Sequence, residues 1–333
     1  MTLSQPRLSL CIATLNRADL LRQMLDAITS QWNDELEVVV VDGASTDATP
    51  AVVDSYRTRL PRLNYIRLSA KGGVDQDYHR AVVAATGRHC WLLSDDDALE
   101  PGAIAAVLDA LAHEPCLVIV NGALFDADLQ ATVSPRQLAF DSDRTYAPGE
   151  HERLFVETAN HLSYIGGVVI DRALWIERRP EQFFGSWFIH VGVIFQSPLP
   201  RTVRVLAHPY IRIRAANASW SNRYFEIWMF KWPELIWSFS ALPDHAKRAV
   251  FAREPWRRPG ALLICRAKAA YDLQAYERWI APRLAPGPRR WLARAIALAP
   301  GRLVNALAIL FFRLFRPTAR ADLLDFQVSR HHW

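Results

Sequence analysis

Three consecutive aspartates are the feature of this sequence with the clearest chemical meaning. Asp95, Asp96 and Asp97 follow the apolar run His89–Leu93, whose pattern predicts a buried strand. Two like charges about 4 Å apart repel by roughly 1 kcal/mol in water and about 4 kcal/mol at an effective dielectric constant of 20. A divalent cation removes that cost, and Mg²⁺ typically binds one or two carboxylates together with substrate phosphates. The alternative is that one aspartate caps the following helix while the others face solvent.

Polar residues also follow two other apolar runs. Asn16 and Arg17 come shortly after Leu8–Ala13, and Asp42 follows Leu36–Val41. In a sheet of parallel strands, ligands bind at the carboxyl ends of the strands, so we expect these groups to meet the three aspartates at one edge. This convergence favours a metal site, with Mn²⁺ or Mg²⁺ as the cation, over a solvated acidic run.

Strands and helices alternate through the first 120 residues. Continuous apolar runs indicate strands buried on both faces, and they occupy 8–13, 36–41, 63–68, 89–93 and 116–120. The intervening segments predict helices at 20–28, 49–59, 75–86 and 101–113. Gly87 is expected to cap the third helix at its C-terminus. The order predicts an α/β fold with a mostly parallel sheet and helices on both faces.

Composition and short motifs exclude several classes of protein. The 333 residues are 51% hydrophobic and 22% charged, which is a globular composition. Four scattered cysteines without a CxxC pair indicate neither a zinc site nor a disulfide framework. No GxGxxG follows the first strand and no GxxxxGK[ST] occurs, so neither dinucleotide nor P-loop phosphate binding is indicated. The N-terminus lacks a secretion-signal pattern, so we expect a cytoplasmic protein; no nucleic-acid partner is expected.

Three segments resemble the nucleotide-binding half of family 2 glycosyltransferases with the GT-A fold: LSLCIATLNRADLL, EVVVVDGASTDAT and GRHCWLLSDDDALEPGAI. The longer segment KGGVDQDYHRAVVAATGRHCWLLSDDD is similar to the abequosyltransferase-like branch, which builds bacterial surface polysaccharide such as O-antigen. The resemblance is strong over roughly residues 8–113 and thinner to about residue 200. It implies inverting transfer of a sugar from a nucleotide diphosphate sugar to a glycan acceptor, which the branch suggests is linked to polyprenyl diphosphate.

The resemblance also implies roles for individual residues. The donor-binding positions are Thr14, Asn16, Arg17, Asp42, Asp75, Gln76, Asp95 and Asp96. Asp42 would hydrogen-bond the nucleotide base. Asp97 would be the direct metal ligand and act in catalysis, with Asp95 as the other end of the family's DxD motif, nearer the ribose. His79 stands where many relatives carry asparagine, so the role usual at that position is not carried over.

The general base of an inverting transferase has no acidic candidate at the expected place in this sequence. In relatives it is usually an acidic residue at the start of a helix after the DxD motif, but the comparable segment, 184–192, contains no Asp or Glu. His190 is its only titratable side chain, and an ordinary histidine pKa of about 6.5 suits a base near neutral pH. The alternative is a hydrogen-bonded core histidine. Glu181 and Asp171 are the fallback candidates.

Two further features have both a functional and a structural interpretation. Ser163–Gly167 resembles the family's acceptor-side loop, where glycines let the backbone approach a sugar, or it is a turn that simply needs glycine. A cluster of aromatic residues stacks on sugars or belongs to a core or a membrane-facing surface. Its members are Trp220, Tyr224, Phe225, Trp228, Phe230, Trp232 and Trp237.

The C-terminal third indicates contact with a membrane surface. Its longest uncharged stretch after Pro288, Leu303–Phe312, is far shorter than the ~20 residues that span a bilayer. Arginines flank the apolar segments, as in a helix that lies in the membrane interface; the alternative is a core helix. We therefore expect a GT-A catalytic domain over 1–210, with its nucleotide part at about 1–120 and its acceptor part at about 121–210. A helical, membrane-associating region over 211–333 follows, at the inner face of the cytoplasmic membrane.

Two rival functions remain open at this point. A nucleotidyltransferase that makes sugar nucleotides uses a related sheet, but it is expected to show a glycine-rich loop with Arg and Lys after the first strand. The segment TLNRADLL contains no glycine. A catalytically weak module that binds glycan or nucleotide is the other rival, and the missing acidic base is its motivation.

Overall fold

A ten-stranded sheet is the centre of the computed structural model, which describes residues 5–215 and 223–332. Its strands are β1 (Leu8–Thr14), β2 (Leu36–Asp42), β3 (Leu63–Arg67), β4 (His89–Ser94), β5 (Ala98–Leu99), β6 (Leu117–Phe125), β7 (Thr132–Ser134), β8 (Arg144–Tyr146), β9 (Val168–Asp171) and β10 (Val203–Arg214). The main order is β3-β2-β1-β4-β9-β6-β10-β5. Pairing is parallel from β3 through β4 and between β6 and β10, whereas β9 runs antiparallel between β4 and β6. The predicted α/β fold with a largely parallel sheet is confirmed.

The helices cover the sheet and make up most of the C-terminal part of the chain. They are α1 (Ala18–Thr29), α2 (Thr49–Tyr56), α3 (Val74–Ala84), α4 (Ala103–Leu111), α5 (His151–Thr158), α6 (Arg172–Glu177), α7 (Ile189–Phe195), α8 (Tyr224–Glu226), α9 (Trp232–Ser238), α10 (Asp244–Val250), α11 (Pro259–Ala267), α12 (Leu273–Ala275), α13 (Pro288–Leu298), α14 (Gly301–Phe315) and α15 (Arg320–Gln327). The five strands and four helices predicted in the first 120 residues are all present. The ends agree within about three residues except in β6, which continues to Phe125.

The core explains why the strand sequences are continuously apolar. Every residue of β2 is buried, and Val38 and Val40 belong to a core cluster with Leu21 and Leu25 of α1. Fully burying such a side chain contributes roughly 1.5–3 kcal/mol relative to leaving it exposed. Because both faces of the central strands are covered, a run of valines is favoured over an alternating pattern.

Gly87 has a different role from the predicted helix cap, so that prediction is wrong. Helix α3 ends at Ala84 and is followed by extended backbone at Ala85. A Cβ atom on Gly87 would lie 2.5 Å from Ser9 Oγ. Glycine is therefore required by the close approach of β1, where the Gly87 N–H also donates to Ser9 Oγ at 3.0 Å.

The described chain divides into two compact units. The first comprises Met1–Arg214 and Phe239–Val250, and the second comprises Ala215–Ser238 and Phe251–Trp333. The predicted domain division at residue 210 stays a prediction, since compactness alone does not define a functional domain.

The second unit is helical and has its own aromatic core. Phe225, Phe230 and Trp232 are at most 4% exposed, which supports the core interpretation for these members of the aromatic cluster; Trp220 lies outside the described residues. No single helix in the described ranges meets the length and composition of a membrane span. The pair α13 and α14 meets them only together, with a bend of 96° between the two helices.

Candidate active site

The carboxyl ends of β1, β2 and β4 lie side by side. Thr14 is in register with Asp42 across β1 and β2, and Ala13 is in register with Ser94 across β1 and β4. The acidic triplet therefore begins directly beside the end of β1. The Thr14 hydroxyl donates to Asp95 Oδ2 at 2.7 Å, which joins two of the predicted donor-site residues.

Arg17 neutralises part of the acidic triplet. It immediately precedes α1, and its Nη1 donates to Asp95 Oδ1 at 2.9 Å and to Asp96 Oδ2 at 2.6 Å. The side chains of Arg17, Asp95 and Asp96 are 17%, 6% and 12% exposed, so these ion pairs are screened little by water. One guanidinium thus holds two neighbouring carboxylates at the edge of the sheet.

Asp97 is held by two groups that the sequence did not single out. Its Oδ1 accepts a hydrogen bond from the main-chain N–H of Arg214 at 2.8 Å, and its Oδ2 accepts one from the Tyr164 hydroxyl at 2.5 Å. The Arg214 guanidinium also donates through Nε to the main-chain oxygen of Asp96 at 2.8 Å. The end of β10 and the Ser163–Gly167 loop therefore both support the triplet.

The triplet carries negative charge that its protein partners do not fully compensate. Burial, opposed by the charge of Arg17, raises the pKa of Asp95 to about 6. Burial and then repulsion from Asp96 raise the pKa of Asp97 to about 7. Buried carboxylates of this kind favour a cation beside them, and carboxylate oxygens are ligands that Mg²⁺ and Mn²⁺ accept.

The ligand set fits a cation that also binds substrate. Within the described ranges, no three His, Cys, Asp or Glu side chains are arranged to enclose a metal ion. Mg²⁺ commonly uses only one or two carboxylates and completes its coordination with phosphate and water. Asp95 is paired with the Arg17 guanidinium, whereas Asp97 accepts only from the neutral Tyr164 hydroxyl and Arg214 N–H, so Asp97 keeps more uncompensated charge for a cation.

Asp42 and Asn16 shape the loop after β2. Asp42 is fully buried; its Oδ1 accepts from the Ser45 N–H at 2.8 Å and its Oδ2 from the Tyr65 hydroxyl at 2.6 Å. Asn16 has a positive φ of 53°, and its Oδ1 accepts from the Thr46 N–H at 2.7 Å. Both predicted donor-binding residues thus bond to main-chain groups of the 43–47 loop, and Tyr65 is a partner of Asp42 that the sequence did not indicate.

Asp75 serves as a backbone anchor. Its side chain, on the first turn of α3, accepts hydrogen bonds from the N–H groups of Gly185, Trp187 and Ile189 at 2.8, 3.0 and 3.2 Å. Gly185 and Trp187 both have positive φ, of 83° and 72°, so the carboxylate stabilises a strained turn that leads into α7. Asp75 therefore supports the segment before His190, and its predicted contact with the donor stays a prediction.

Gln76 lies beside the glycine pair that precedes α3. Its Oε1 is 3.5 Å from the position that a Cβ of Gly72 would take and 3.8 Å from the corresponding position of Gly73. The side chain is partly exposed. Its predicted contact with the donor stays a prediction.

His190 is buried in the first turn of α7. The residue is 1% exposed, and its Nε2 lies 2.7 Å from the main-chain oxygen of Leu162. Burial, only partly opposed by that hydrogen bond, lowers its pKa to about 4. A neutral histidine donating to a carbonyl inside the core matches the structural alternative. Its role as general base is therefore not supported by its position.

The two fallback bases occupy different places. Asp171 ends the antiparallel strand β9, in register with His89 at the start of β4, which is the edge of the sheet opposite to the triplet. Its Oδ1 accepts from the Leu174 N–H at 3.0 Å, which caps α6, and its Oδ2 pairs with Arg201. The prediction of Asp171 as a fallback base is therefore wrong. The Glu181 side chain is 57% exposed and lies 3.3 Å from His79 Nε2.

The glycines of the Ser163–Gly167 loop are explained by packing. A Cβ on Gly166 would lie 2.1 Å from Tyr164 Oη, and one on Gly167 would lie 2.9 Å from the main-chain oxygen of Val120. The Gly166 carbonyl accepts from Trp91 Nε1 at 2.7 Å, which fixes the loop on β4. Close approach of protein groups therefore accounts for both glycines.

Comparison with known proteins identifies the family. The family described as Glycosyl transferase family 2 matches residues 9–179. The abequosyltransferase RfbV of Salmonella typhimurium (strain LT2) is 35% identical over 230 residues, which cover 65% of this chain and 69% of that protein. A GalNAc(5)-diNAcBac-PP-undecaprenol beta-1,3-glucosyltransferase of Campylobacter jejuni is 31% identical over 104 residues, 31% of this chain and 34% of that protein.

Solved structures agree in fold. S. aureus TarS 1-349 in complex with UDP has a TM-score of 0.58 and 16% identity, and the match covers 96% of this chain and 89% of that chain. The mannosyltransferase PcManGT from Pyrobaculum calidifontis, in complex with GDP-Man and Mn²⁺, has a TM-score of 0.52 and 19% identity over 97% and 86% of the two chains. At such identities these likenesses show the fold alone. Together with the sequence match, they establish that the chain is a member of glycosyl transferase family 2 with the GT-A fold.

Proposed function

We propose that this chain moves one sugar, with inversion, from a nucleoside diphosphate sugar to a glycan acceptor, with a divalent cation held by Asp97. The observation that carries the proposal is the buried acidic triplet at the end of β4, with two carboxylates of raised pKa. Mn²⁺ or Mg²⁺ bound there would offset negative charge on the departing diphosphate. Membership of the family favours transfer over nucleotidyl chemistry or binding without turnover.

The chain's own residues orient the donor around that position. Arg17 stays beside Asp95 and Asp96, so the edge of the sheet presents one fixed positive group among the carboxylates. Asp42 is fully buried beside Tyr65 and the Ser45 N–H, so it can meet a nucleotide base only if the residues that cover it move. Donor binding is thus expected to rearrange the 43–47 loop locally.

The acceptor in this proposal is a glycan on polyprenyl diphosphate, at the inner face of the cytoplasmic membrane. The name of the similar protein from Campylobacter jejuni gives a glycan on undecaprenol diphosphate as its substrate. The resemblance to the abequosyltransferase suggests the same class of acceptor. The second unit offers a surface that suits this location. One face of α14 consists of apolar side chains that are 49–64% exposed: Leu303, Leu307, Leu310, Phe311 and Leu314.

Charge supports a membrane as the occupant of that apolar face. Arg302 and Arg313 lie at the two ends of α14, and Trp291 on α13 is 72% exposed. The opposite face of the helix is buried through Asn305 and Phe312, which fixes its rotation. Exposed leucines bordered by arginines and a tryptophan match the interface of an anionic bilayer.

A calorimetric screen tests the donor site. UDP, GDP, CDP, TDP and ADP are titrated with and without Mn²⁺ into the wild type and into Asp97→Asn. We expect one nucleotide to bind only with Mn²⁺, and Asp97→Asn to weaken that binding strongly. Asp54→Asn on the surface of α2, where the aspartate side chain is 63% exposed, is the matched control and should bind like the wild type. Binding that ignores both the metal and Asp97 would refute the proposed site.

Sedimentation with vesicles tests the membrane surface separately. Vesicles of phosphatidylcholine with phosphatidylglycerol are compared with phosphatidylcholine alone, using the wild type and Leu307→Asp/Leu310→Asp. At about 1.5 kcal/mol lost per leucine, binding should fall by on the order of 100-fold. Leu263→Asp on α11, where the leucine is 41% exposed, is the control outside the apolar face. Equal binding of all three proteins would contradict the assignment.

A further inference from the structure

We propose that Tyr164 is a positioning residue of the donor site, which fixes the carboxylate of Asp97 for the metal. This inference rests on the proposed function, because it concerns the carboxylate assigned there as the metal ligand. Tyr164 lies 67 residues from Asp97 in the sequence, and its hydroxyl donates to Asp97 Oδ2 at 2.5 Å. The main-chain N–H of Arg214 holds the other oxygen at 2.8 Å. Both oxygens are therefore fixed from the protein side.

The surrounding loop is built to hold this tyrosine in place. Its hydroxyl lies so close to Gly166 that a Cβ there would be 2.1 Å from Oη and 2.3 Å from Cζ. The Gly166 carbonyl is tied to Trp91 Nε1 at 2.7 Å, and Trp91 is a fully buried residue of β4. The strand that leads into the acidic triplet thus also anchors the loop that contains Tyr164.

The hydroxyl bond has a defined consequence for metal binding. A carboxylate oxygen can accept from a donor and ligate a cation at once, because each oxygen has two lone-pair sites. Groups that hydrogen-bond to metal ligands orient them, and their loss typically costs about 10–100-fold in metal affinity or activity. Without the hydroxyl, the Asp97 carboxylate keeps only its bond to the Arg214 N–H. Binding of the metal must then also restrict the motion of the Asp97 carboxylate, and this cost in free energy lowers the affinity for the metal.

The experiment compares Tyr164→Phe with a matched loss of a hydroxyl nearby. Tyr78 is 4% exposed, and its hydroxyl donates to the main-chain oxygen of Leu93 at 2.9 Å instead of to a carboxylate. The Mn²⁺ dissociation constant is measured by electron paramagnetic resonance of free Mn²⁺, with the nucleoside diphosphate that gives the largest Mn²⁺-dependent heat on the wild type. We expect Tyr164→Phe to raise that constant by about 10–100-fold, and Tyr78→Phe to leave it within about threefold of the wild-type value.

A double-mutant cycle separates positioning from a general loss of structure. If the hydroxyl acts through Asp97, Tyr164→Phe should weaken Mn²⁺ binding in the wild type but add nothing in Asp97→Asn. Gly166→Ala provides a second route if Tyr164→Phe does not fold, since it displaces the ring while keeping the hydroxyl; it should weaken Mn²⁺ binding in the same way.

The outcomes distinguish the two proposals. Wild-type affinity for Mn²⁺ in a folded Tyr164→Phe protein overturns the positioning role and leaves the donor site intact. Equal loss of Mn²⁺ affinity in Tyr164→Phe and Tyr78→Phe also overturns it, because the effect would then not depend on the hydrogen bond to Asp97. A wild type that binds no nucleotide with Mn²⁺ refutes the proposed function itself, and the positioning role falls with it.

Discussion

Replacing His190 by glutamine tests whether this side chain is a structural group or a proton acceptor. The carbonyl of Leu162 can only accept, so the Nε2 that lies 2.7 Å away carries the hydrogen. Nδ1, the nitrogen left to act as a base, is buried and has no hydrogen-bond partner among the described residues. A glutamine amide can donate to the same carbonyl, so the change keeps the bond and removes the titration.

The size of the effect follows from the shifted pKa. Burial lowers the pKa of His190 to about 4, against 6.5 for an ordinary histidine. Because the unfolded chain binds this proton more tightly, the stability present above pH 6.5 is lost as the pH falls toward 4. From pH 7 to pH 5 the loss is about 2 kcal/mol, at 1.36 kcal/mol for each pKa unit.

The assay is urea unfolding, followed by circular dichroism at pH 7 and pH 5, combined with a transferase assay at pH 7. The wild type should lose about 2 kcal/mol more than His190→Gln between the two pH values. His161, whose pKa burial also lowers to about 4, stays in both proteins, so its contribution cancels. His161→Gln is the control and should flatten the same pH dependence.

Two results would refute this reasoning about His190. The first is an unchanged pH dependence of the free energy of unfolding in His190→Gln. The second is a loss of kcat at pH 7 of about 10²-fold or more in the folded variant, which is the range expected for a general base. A rate within about threefold of the wild type agrees with a core histidine.

Three other substitutions have definite expected effects on the free energy of unfolding, measured by urea denaturation. Arg17→Ala leaves two largely buried carboxylates without their guanidinium and should cost roughly 3 kcal/mol, with weaker nucleotide binding in calorimetry. Asp75→Asn replaces one of two oxygens that hold three N–H groups; it should cost about 1–3 kcal/mol and make the following turn easier to cleave by protease. Gly167→Ala places a Cβ 2.9 Å from the Val120 oxygen and should cost about 1–3 kcal/mol, whereas Gly260→Ala, with open space around it, should be close to neutral.

The alternation of strands and helices was predictable because its signals are local. A strand such as LEVVVV is buried on both faces, and each of its residues is apolar for that reason. The end of such a strand is also readable, which is why the acidic triplet and Asp42 were correctly expected at one edge of the sheet. The position of β9 in the sheet was harder to predict. It lies antiparallel between β4 and β6, and the sequences of those two strands give no indication of which strand pairs with them.

The supports of the acidic triplet were not predictable from spacing. Tyr164 and Arg214 meet Asp97 across 67 and 117 residues of sequence, and no local period relates such positions. His190 shows a second limit. Its residue type permits acid–base chemistry, but whether it titrates near pH 7 depends on how deeply it is buried. All seven residues of α7 are buried, and that burial comes from tertiary packing.

The division of the chain into units has a consequence for how the protein can be cut. The chain leaves the first unit after Arg214, returns for Phe239–Val250 and leaves again, so three crossings join the two units. The returning segment contains α10, whose His245 pairs with Glu152 of α5 in the first unit. A single proteolytic nick therefore releases neither unit. A shortened chain that stops at Arg214 would also lack α10. The surface of α5 that α10 covers would then be exposed to solvent.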